Sequence, residues 1–431
     1  MLAPDKVQVV KELLKSIHRG ASPEELKARY GDLLAAISPL EIVAVEQQLI
    51  REGVSINEIL KLCDLHVALF RDYLASRELR GLPRGHPLEI LLRENDEILR
   101  RAEALNAFAA AAASSGDPKE ADARLEDLKA IAVRLRDVRI HYRKVQMALF
   151  PYLERRGIVA VPRVLWGRED QALLKVRRLL DELNKPNRDP AQVAKMAQEV
   201  AGELAELVFR EDKILYPATY ALFSEGEWAA IAEIFDDLGY MIEVGEREWR
   251  PSAKPVYPYE LVAAVDESQL PRLPPEFRAV AQSAKPDAYD IRRAGDVVLE
   301  TGFLSPEEIE GIFRMLPVEI TFADANDRVR FFSESEVSGG FARAKTIVGR
   351  DLRYCHPPRL EGYVVKNVEA LKKGEAKYRV FYTRQGGRLI RVIVAAVRGR
   401  DGKYIGTLEV VEDITELVEN AEEVKKKVVV L

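Results

Sequence analysis

Apolar positions along the first 240 residues recur at helical spacing, and those after residue 300 recur mostly at strand spacing. Val7, Val10, Leu13, Leu14 and Ile17 share one face of a helix, and Ser22-Pro23-Glu24-Glu25 reads as an N-cap followed by proline in the first turn. Ser38-Pro39-Leu40-Glu41 and Ser55-Ile56-Asn57-Glu58 open further helices, which predicts a small helical domain over 5–78. Gly81-Leu82-Pro83-Arg84-Gly85 then breaks the pattern. Longer amphipathic runs follow near 86–114, 118–156, 169–184 and 190–222, with a shorter one at 224–239. Four long helices joined by short connections predict an up-and-down bundle within 80–243.

Between residues 244 and 295 the periodicity fades and Pro251, Pro255, Pro258, Pro271, Pro274, Pro275 and Pro286 accumulate, as in a linker or an extended wrap over a neighbouring surface. From 296 to 416 a capped helix at Ser305-Pro306-Glu307-Glu308 precedes strand-like pieces near 319–323, 329–333, 376–383, 389–397 and 404–411. A helical stretch near 360–373 lies among them. Asn326-Asp327, Gln385-Gly386-Gly387 and Arg400-Asp401-Gly402 mark the turns, so the segment reads as an α+β domain with an antiparallel sheet. A helical tail is expected over 417–431. The fold class is therefore multidomain, an all-α region followed by an α+β domain.

Composition narrows the function. The 431 residues carry 65 Lys and Arg against 70 Asp and Glu, a net charge of −5, so no broad positive field favours nucleic acid. Two cysteines, Cys63 and Cys355, rule out a disulfide framework and a Cys-rich zinc or iron–sulfur site, and suit a reducing cytoplasm. Charged residues precede any apolar run at the N-terminus, and no apolar run approaches the ~20 residues that span a bilayer, so neither secretion nor a membrane is expected. Motifs of serine hydrolases, P-loop and dinucleotide-binding proteins and HExxH metalloproteases are absent, so the chain is not expected to be an enzyme of those classes.

Three blocks carry a family resemblance. Residues 7–78, with LKLCDLHVALF at 60–70, resemble the uncharacterised helical domain that precedes hemerythrin-like domains in bacterial and archaeal proteins. GHPLEILLREND at 85–96, HYRKVQMALFPYLERRGI at 141–158 and FREDKILYP at 209–217 resemble the hemerythrin-like, HHE cation-binding domain. DANDRVRFFSES at 324–335, VGRDLRYCHPP at 348–358 and GKYIGTLEVVEDIT at 402–415 resemble a PAS domain.

The hemerythrin resemblance implies two irons held by His and carboxylate ligands, and the ligand positions decide how far it carries. Aligned through Phe150-Pro151, the first acidic position is Gln146, with Tyr142 four residues before it and His141 one place off. Aligned through Tyr216-Pro217, Glu211 survives but Leu207 stands four before it, and Gln171 stands where the third long helix would offer His. His86, His141 and Glu211 remain as a remnant site expected to share one cavity, with Glu94, Asp170 and Asp212 in reserve. Three donors are too few for a diiron centre, so iron is expected to be sub-stoichiometric or absent.

Each cysteine has a nearby histidine. Cys63 and His66 lie at i, i+3 on one helical face, and Cys355 adjoins His356 before Pro357-Pro358; both pairs are candidates for redox, metal or haem chemistry, against the plainer readings of a buried thiol and a structural hydrogen bond. The PAS resemblance implies a pocket for a ligand that the sequence does not identify, with Phe322, Phe331, Phe332, Tyr354 and Phe381 as candidate lining. The Asn-Cys-Arg context of photoreactive flavin binders is absent.

The expected function is a cytoplasmic sensory or regulatory protein coupling a hemerythrin-like bundle to a PAS ligand-sensing or interaction domain. Its signal is expected to leave through a protein partner or self-association as a homodimer. The alternatives are a non-haem iron protein handling oxygen, nitric oxide or redox stress, and a metal-free interaction scaffold.

Overall fold

The computed structural model describes residues 79–261, 285–336, 341 and 343–428, together with Glu25, Ala28 and Arg29. The helical domain expected over 5–78, with Cys63 and His66, lies outside the described residues apart from those three. The chain divides into two compact units at Asp290/Ile291, and each is described by itself.

The first unit is a bundle of four long helical arms. Helix α1 (Pro87–Ser114) is followed by an arm built of α2 (Pro118–Arg134), a 3₁₀ turn (Leu135–Asp137), α3 (Val138–Lys144), a π turn (Val145–Leu149) and α4 (Phe150–Arg155). Helix α5 (Ala160–Leu183) forms the third arm, and the fourth runs through α6 (Pro190–Arg210), a second π turn (Glu211–Leu215) and α7 (Tyr216–Leu222). A shorter helix, α8 (Glu225–Leu238), closes one end.

Three arms begin with the same device. His86, Asp117 and Asp189 each accept a hydrogen bond from the backbone N–H two residues on, and each is followed by proline, whose fixed φ suits the first helical position. Arms one, two, three and four touch in a ring, and their apolar faces merge into one core running from Leu88 to Phe235.

The two π turns share a cause. Pro151 and Pro217 have no N–H to offer the carbonyl four residues back, and the preceding aromatic residue reaches further instead: Phe150 N–H bonds to the Val145 carbonyl and Tyr216 N–H to that of Glu211, both i to i−5. Each widened turn inserts a residue into the 3.6-residue rhythm. It thereby reconciles the five-residue spacing of His141 and Gln146 with a common inward face, where the four-residue count had pointed to Tyr142.

Residues 244–261 and 285–290 of the Pro-rich segment lie against this bundle. Glu248 and Trp249 N–H groups both bond to the Arg84 carbonyl, Tyr152 OH donates to the Val256 carbonyl, and Arg155 pairs with Asp287. Gly226 permits one close approach, presenting no side chain where Val256 N–H meets its carbonyl: a Cβ there would stand 2.8 Å from the Lys254 carbonyl oxygen.

The second unit opens with a hairpin of β1 (Val297–Leu299) and β2 (Gly302–Leu304), then α9 (Pro306–Met315), whose Ser305 and Glu308 form a capping box. Strands β3 (Glu319–Asp324), β4 (Val329–Phe332), β5 (Tyr378–Gln385), β6 (Arg388–Arg398) and β7 (Tyr404–Asp413) make an antiparallel sheet in the order β4-β3-β7-β6-β5. Helix α10 (Pro358–Lys373), ended by Gly374 in the left-handed conformation, enters between β4 and β5 and meets β6 and β7. The tail forms two short exposed helices, α11 (Thr415–Glu419) and α12 (Ala421–Lys426).

Gly226→Val tests the wrap over the bundle. Overpacking of this kind costs about 1–3 kcal/mol, and residues 244–261 should then be cut by protease faster than in the wild type. Equal cleavage rates would show that the segment does not depend on that contact.

Candidate functional site

The bundle buries an unusual set of charges. Glu94, His141, Lys144, Glu169 and Glu211 are all fully buried, one or more from each of the four arms. The apolar periodicity places them: Leu91, Ile98 and Ala102 flank Glu94 on α1, and Leu165, Ala172 and Val176 flank Glu169 on α5. The same stripes that make the core therefore carry the carboxylates inward.

His141 is the centre. Its Nδ1 lies 2.8 Å from Glu94 Oε2 and its Nε2 lies 3.0 Å from Glu211 Oε2. A carboxylate only accepts, so a ring held between two of them donates from both nitrogens and is an imidazolium. Burial opposes that charge, but the Glu211 and Glu94 carboxylates outweigh it and raise the His141 pKa to about 9.

On the Glu94 side Lys144 completes the arrangement. Its ammonium pairs with Glu94 Oε1, donates to the Gly239 carbonyl at 3.2 Å, and lies 4.8 Å from the Tyr240 ring centroid and 5.5 Å from that of Phe235. Met241 N–H also donates to Glu94 Oε1 at 2.9 Å. Burial would raise the Glu94 pKa, yet hydrogen bonds and charge from His141 and Lys144 hold it below the ordinary value. Burial draws the Lys144 ammonium below its usual range against the pull of Glu94.

On the Glu211 side the partners are neutral. Tyr216 OH donates to Glu211 Oε2 at 3.0 Å, and Asn95 Nδ2 reaches the Tyr216 oxygen at 3.3 Å and Asp212 Oδ1 at 2.8 Å. Gln146 donates to Glu169 Oε2 at 2.6 Å. Burial and the nearby Glu211 push Glu169 up to about 8, so it is protonated near neutrality, and burial likewise lifts Asp212 to about 7. Among protein groups, Glu169 Oε1, Glu211 Oε1 and Tyr142 OH have no hydrogen-bond partner.

The residues expected to share one cavity are only partly brought together. His141 and Glu211 meet, and Glu94 joins them, but His86 does not. Its Nδ1 accepts from Leu88 N–H at 3.1 Å, and its ring packs among Trp228, Trp249 and Tyr220. Eight residues of α1 separate it from Glu94, about 12 Å of helical rise. It caps the helix, and burial lowers its pKa to about 4. Asp170 and Gln171 face solvent, and the buried residue of that stretch is Glu169.

These residues do not fit the iron pair that the hemerythrin resemblance implies. A metal needs a ring lone pair, and both His141 nitrogens donate to carboxylates; it needs open carboxylate oxygens, and both oxygens of Glu94 are engaged. Among the described residues no group of three or more His, Cys, Asp or Glu is arranged to hold a metal ion.

In the second unit Cys355 Sγ lies 3.6 Å from the Asp351 carbonyl, and burial raises its pKa, which disfavours a reactive thiolate. His356 Nδ1 lies 3.2 Å from the Leu352 carbonyl, a local bond across the 3₁₀ turn Leu352–Cys355. The five aromatic pocket candidates do not line one space. Side chains alternate along a strand, so Phe322 and Phe331, opposite each other on β3 and β4, share the sheet face that α9 meets through Phe313. Phe332 and Phe381 belong to the other face, where Phe381 meets Tyr363 of α10, and Tyr354 is exposed beside Arg353. That inner face also carries Glu319, Thr321, Thr407 and Glu409. Arg343 pairs with Glu319 and Glu409 and donates to Thr321 Oγ1 at 2.9 Å.

The bundle's charges predict how it responds to pH. Glu169, with its pKa raised from 4.5 to about 8, and His141, raised from 6.5 to about 9, both bind more protons folded than unfolded between those limits. Unfolding free energy should fall as pH rises from about 5 to about 9, each group contributing at most about 1.4 kcal/mol per pH unit. In urea titrations Glu169→Gln should make the fall shallower between about pH 5 and 8, leaving the share that His141 contributes above pH 6.5. An unchanged slope would show that Glu169 is ionised in the fold.

Three families match the chain in succession: the Family of unknown function (DUF438) over residues 10–76, the Hemerythrin HHE cation binding domain over 86–219 and the PAS domain over 309–415. The C-terminal domain of a Streptococcus mutans protein is 32% identical, covering 30% of this chain and 99% of its own, with a TM-score of 0.28. The PAS domain of a Colwellia psychrerythraea protein is 15% identical, covering 26% of this chain and 97% of its own, with a TM-score of 0.21. A sensory box sensor histidine kinase from Vibrio cholerae is 13% identical, covering 25% of this chain and 90% of its own, with a TM-score of 0.20. No curated protein matches the chain. On the order and extent of the three matches, the chain is made of a DUF438 domain, a hemerythrin HHE domain and a PAS domain that follow one another.

Proposed function

We propose that this chain is a sensory or regulatory protein of the cytoplasm in which the PAS domain takes the input, a small polar molecule bound on the inner face of its sheet. The observation that carries this reading is the polarity of that interior. Glu319, Thr321, Ser333, Asp351 and Thr407 are buried in this unit, whose apolar cluster around Ile390, Val392 and Val411 is small. Buried polar groups weaken a core unless they serve recognition or specificity. The Arg343 guanidinium, held between Glu319 and Glu409, offers planar donors to a carboxylate or phosphate, and the two glutamates would receive an amine.

Output is assigned to contact with a partner or a second copy. Tyr378, Val380 and Tyr382 form an exposed row on β5, an edge strand of the sheet, the kind of surface on which another chain can pair or pack. Among the described residues no helix is long and apolar enough to cross a membrane.

The iron-handling alternative is less well supported. It requires His141 to give up a proton before its ring can bind a metal, and Glu94 to release Lys144 before that carboxylate can.

Native mass spectrometry of the full chain tests the ligand. A small polar molecule should travel with the folded protein, disappear on denaturation, and be lost or bound at least about tenfold more weakly in Arg343→Leu. A wild-type mass without adduct, with no thermal shift across a panel of amino acids, organic acids and nucleotides, would contradict the reading.

A further inference from the structure

The bundle interior holds a charge balance that is independent of the sensory reading. Glu94 and Glu211 are fully buried carboxylates on α1 and the fourth arm, and both reach the same imidazole from opposite sides. One imidazolium cannot balance two carboxylates. A bundle that buries such a pair needs a second cation, and a metal is the usual means of supplying it.

Here the second cation belongs to the chain. Lys144 follows His141 by three residues on α3, which puts both on one face, and its side chain is fully buried. Its contacts account for the whole ammonium: the Glu94 carboxylate, the Gly239 carbonyl at the end of α8, and the faces of Tyr240 and Phe235. An ammonium has only donors, and each of these neighbours offers negative or partly negative charge. Carboxylates and cations then stand at two against two, with Glu169 hydrogen-bonded to Gln146 beside them.

We propose that Lys144 is the resident cation of this bundle, taking the electrostatic place of a metal and closing the interior to divalent ions while it is there. Two things follow from the geometry. Without Lys144 the interior holds two carboxylates against one cation, and Glu94 Oε1 loses its charged partner. Glu94 Oε1 and the Gly239 carbonyl, the oxygens that Lys144 now holds, then become the natural donors for a hard or borderline divalent cation such as Mn(II), Fe(II) or Zn(II).

The test compares three full-length proteins: wild type, Lys144→Met, and Lys144→Met with Glu94→Gln. Each is incubated with Mn(II), anaerobic Fe(II) or Zn(II) and dialysed. Metal content and melting temperature with and without the ion are then measured. The wild type should retain only traces of metal and melt at the same temperature either way. Lys144→Met should melt lower, retain about one ion per chain, and recover part of its melting temperature when the ion is present. The double variant, which removes the anion together with the cation, should melt above the single variant and respond less to metal.

Should Lys144→Met fail to fold alone, refolding with Mn(II) and the behaviour of the double variant carry the same test. Stoichiometric metal in the wild type overturns the proposal. So does a Lys144→Met protein as stable as wild type, or a double variant no more stable than the single one.

Discussion

A carboxylate that stays ionised out of water in a helical bundle must have a cation beside it, and the ion pair between Glu94 and Lys144 meets that demand. The effective penalty of burying an ion is several kcal/mol, enough to consume much of the net stability of a domain. Glu94 bears it with partners on every side: Lys144 and Met241 N–H on one oxygen, His141 on the other. His141 passes the same constraint across the bundle to Glu211, and Tyr216 and Asn95 extend it by hydrogen bonds to Asp212 near the surface. The four arms and α8 are therefore joined by charge as well as by apolar packing, which fixes their register as leucines alone would not.

Backbone irregularity serves the same end. Pro151 and Pro217 each force a π turn one residue upstream of an aromatic side chain, and these turns contain Gln146 and Glu211. The extra residue lets His141 and Lys144 before the turn, and Phe150 after it, all point inward. Two prolines that would merely kink an ordinary helix here set which polar groups meet.

Much of the architecture was legible in the sequence because it follows from local chemistry: the four long arms from helical periodicity, the sheet from alternation and its hairpins from Gly386-Gly387 and Asp401-Gly402. The β1–β2 hairpin was missed, for its strands are three residues each and exposed. Within the site, His141, Glu211 and Glu94 were found by searching for metal donors. The same search passed over Lys144, since a lysine is a ligand to nothing. Glu169 was overlooked in favour of Asp170 and Gln171, although Leu165, Ala172 and Val176 mark it as the inward position. His86 was misplaced because its identity as a donor was weighed above its place before Pro87, where its nitrogen caps the helix. The aromatic residues of the PAS unit were grouped by kind, while strand alternation sends Phe322 and Phe331 to one face and Phe381 to the other.

The two units bury polar groups in different ways. In the bundle Lys144, Glu94 and His141 satisfy one another almost completely, as befits a fixed core. On the inner face of the PAS sheet Arg343 is shared between Glu319 and Glu409, with the apolar floor of Ile390, Val392 and Val411 close by, and the proposed ligand role rests on that sharing. The account rests above all on the coupling of Glu94 to Lys144. A double-mutant cycle with Glu94→Gln, Lys144→Met and their combination, read by urea unfolding of the full chain at pH 7, measures it directly. The account predicts a coupling free energy of about 2 kcal/mol or more, with the double variant nearer to wild type than the sum of the single losses; coupling below about 0.5 kcal/mol would contradict it.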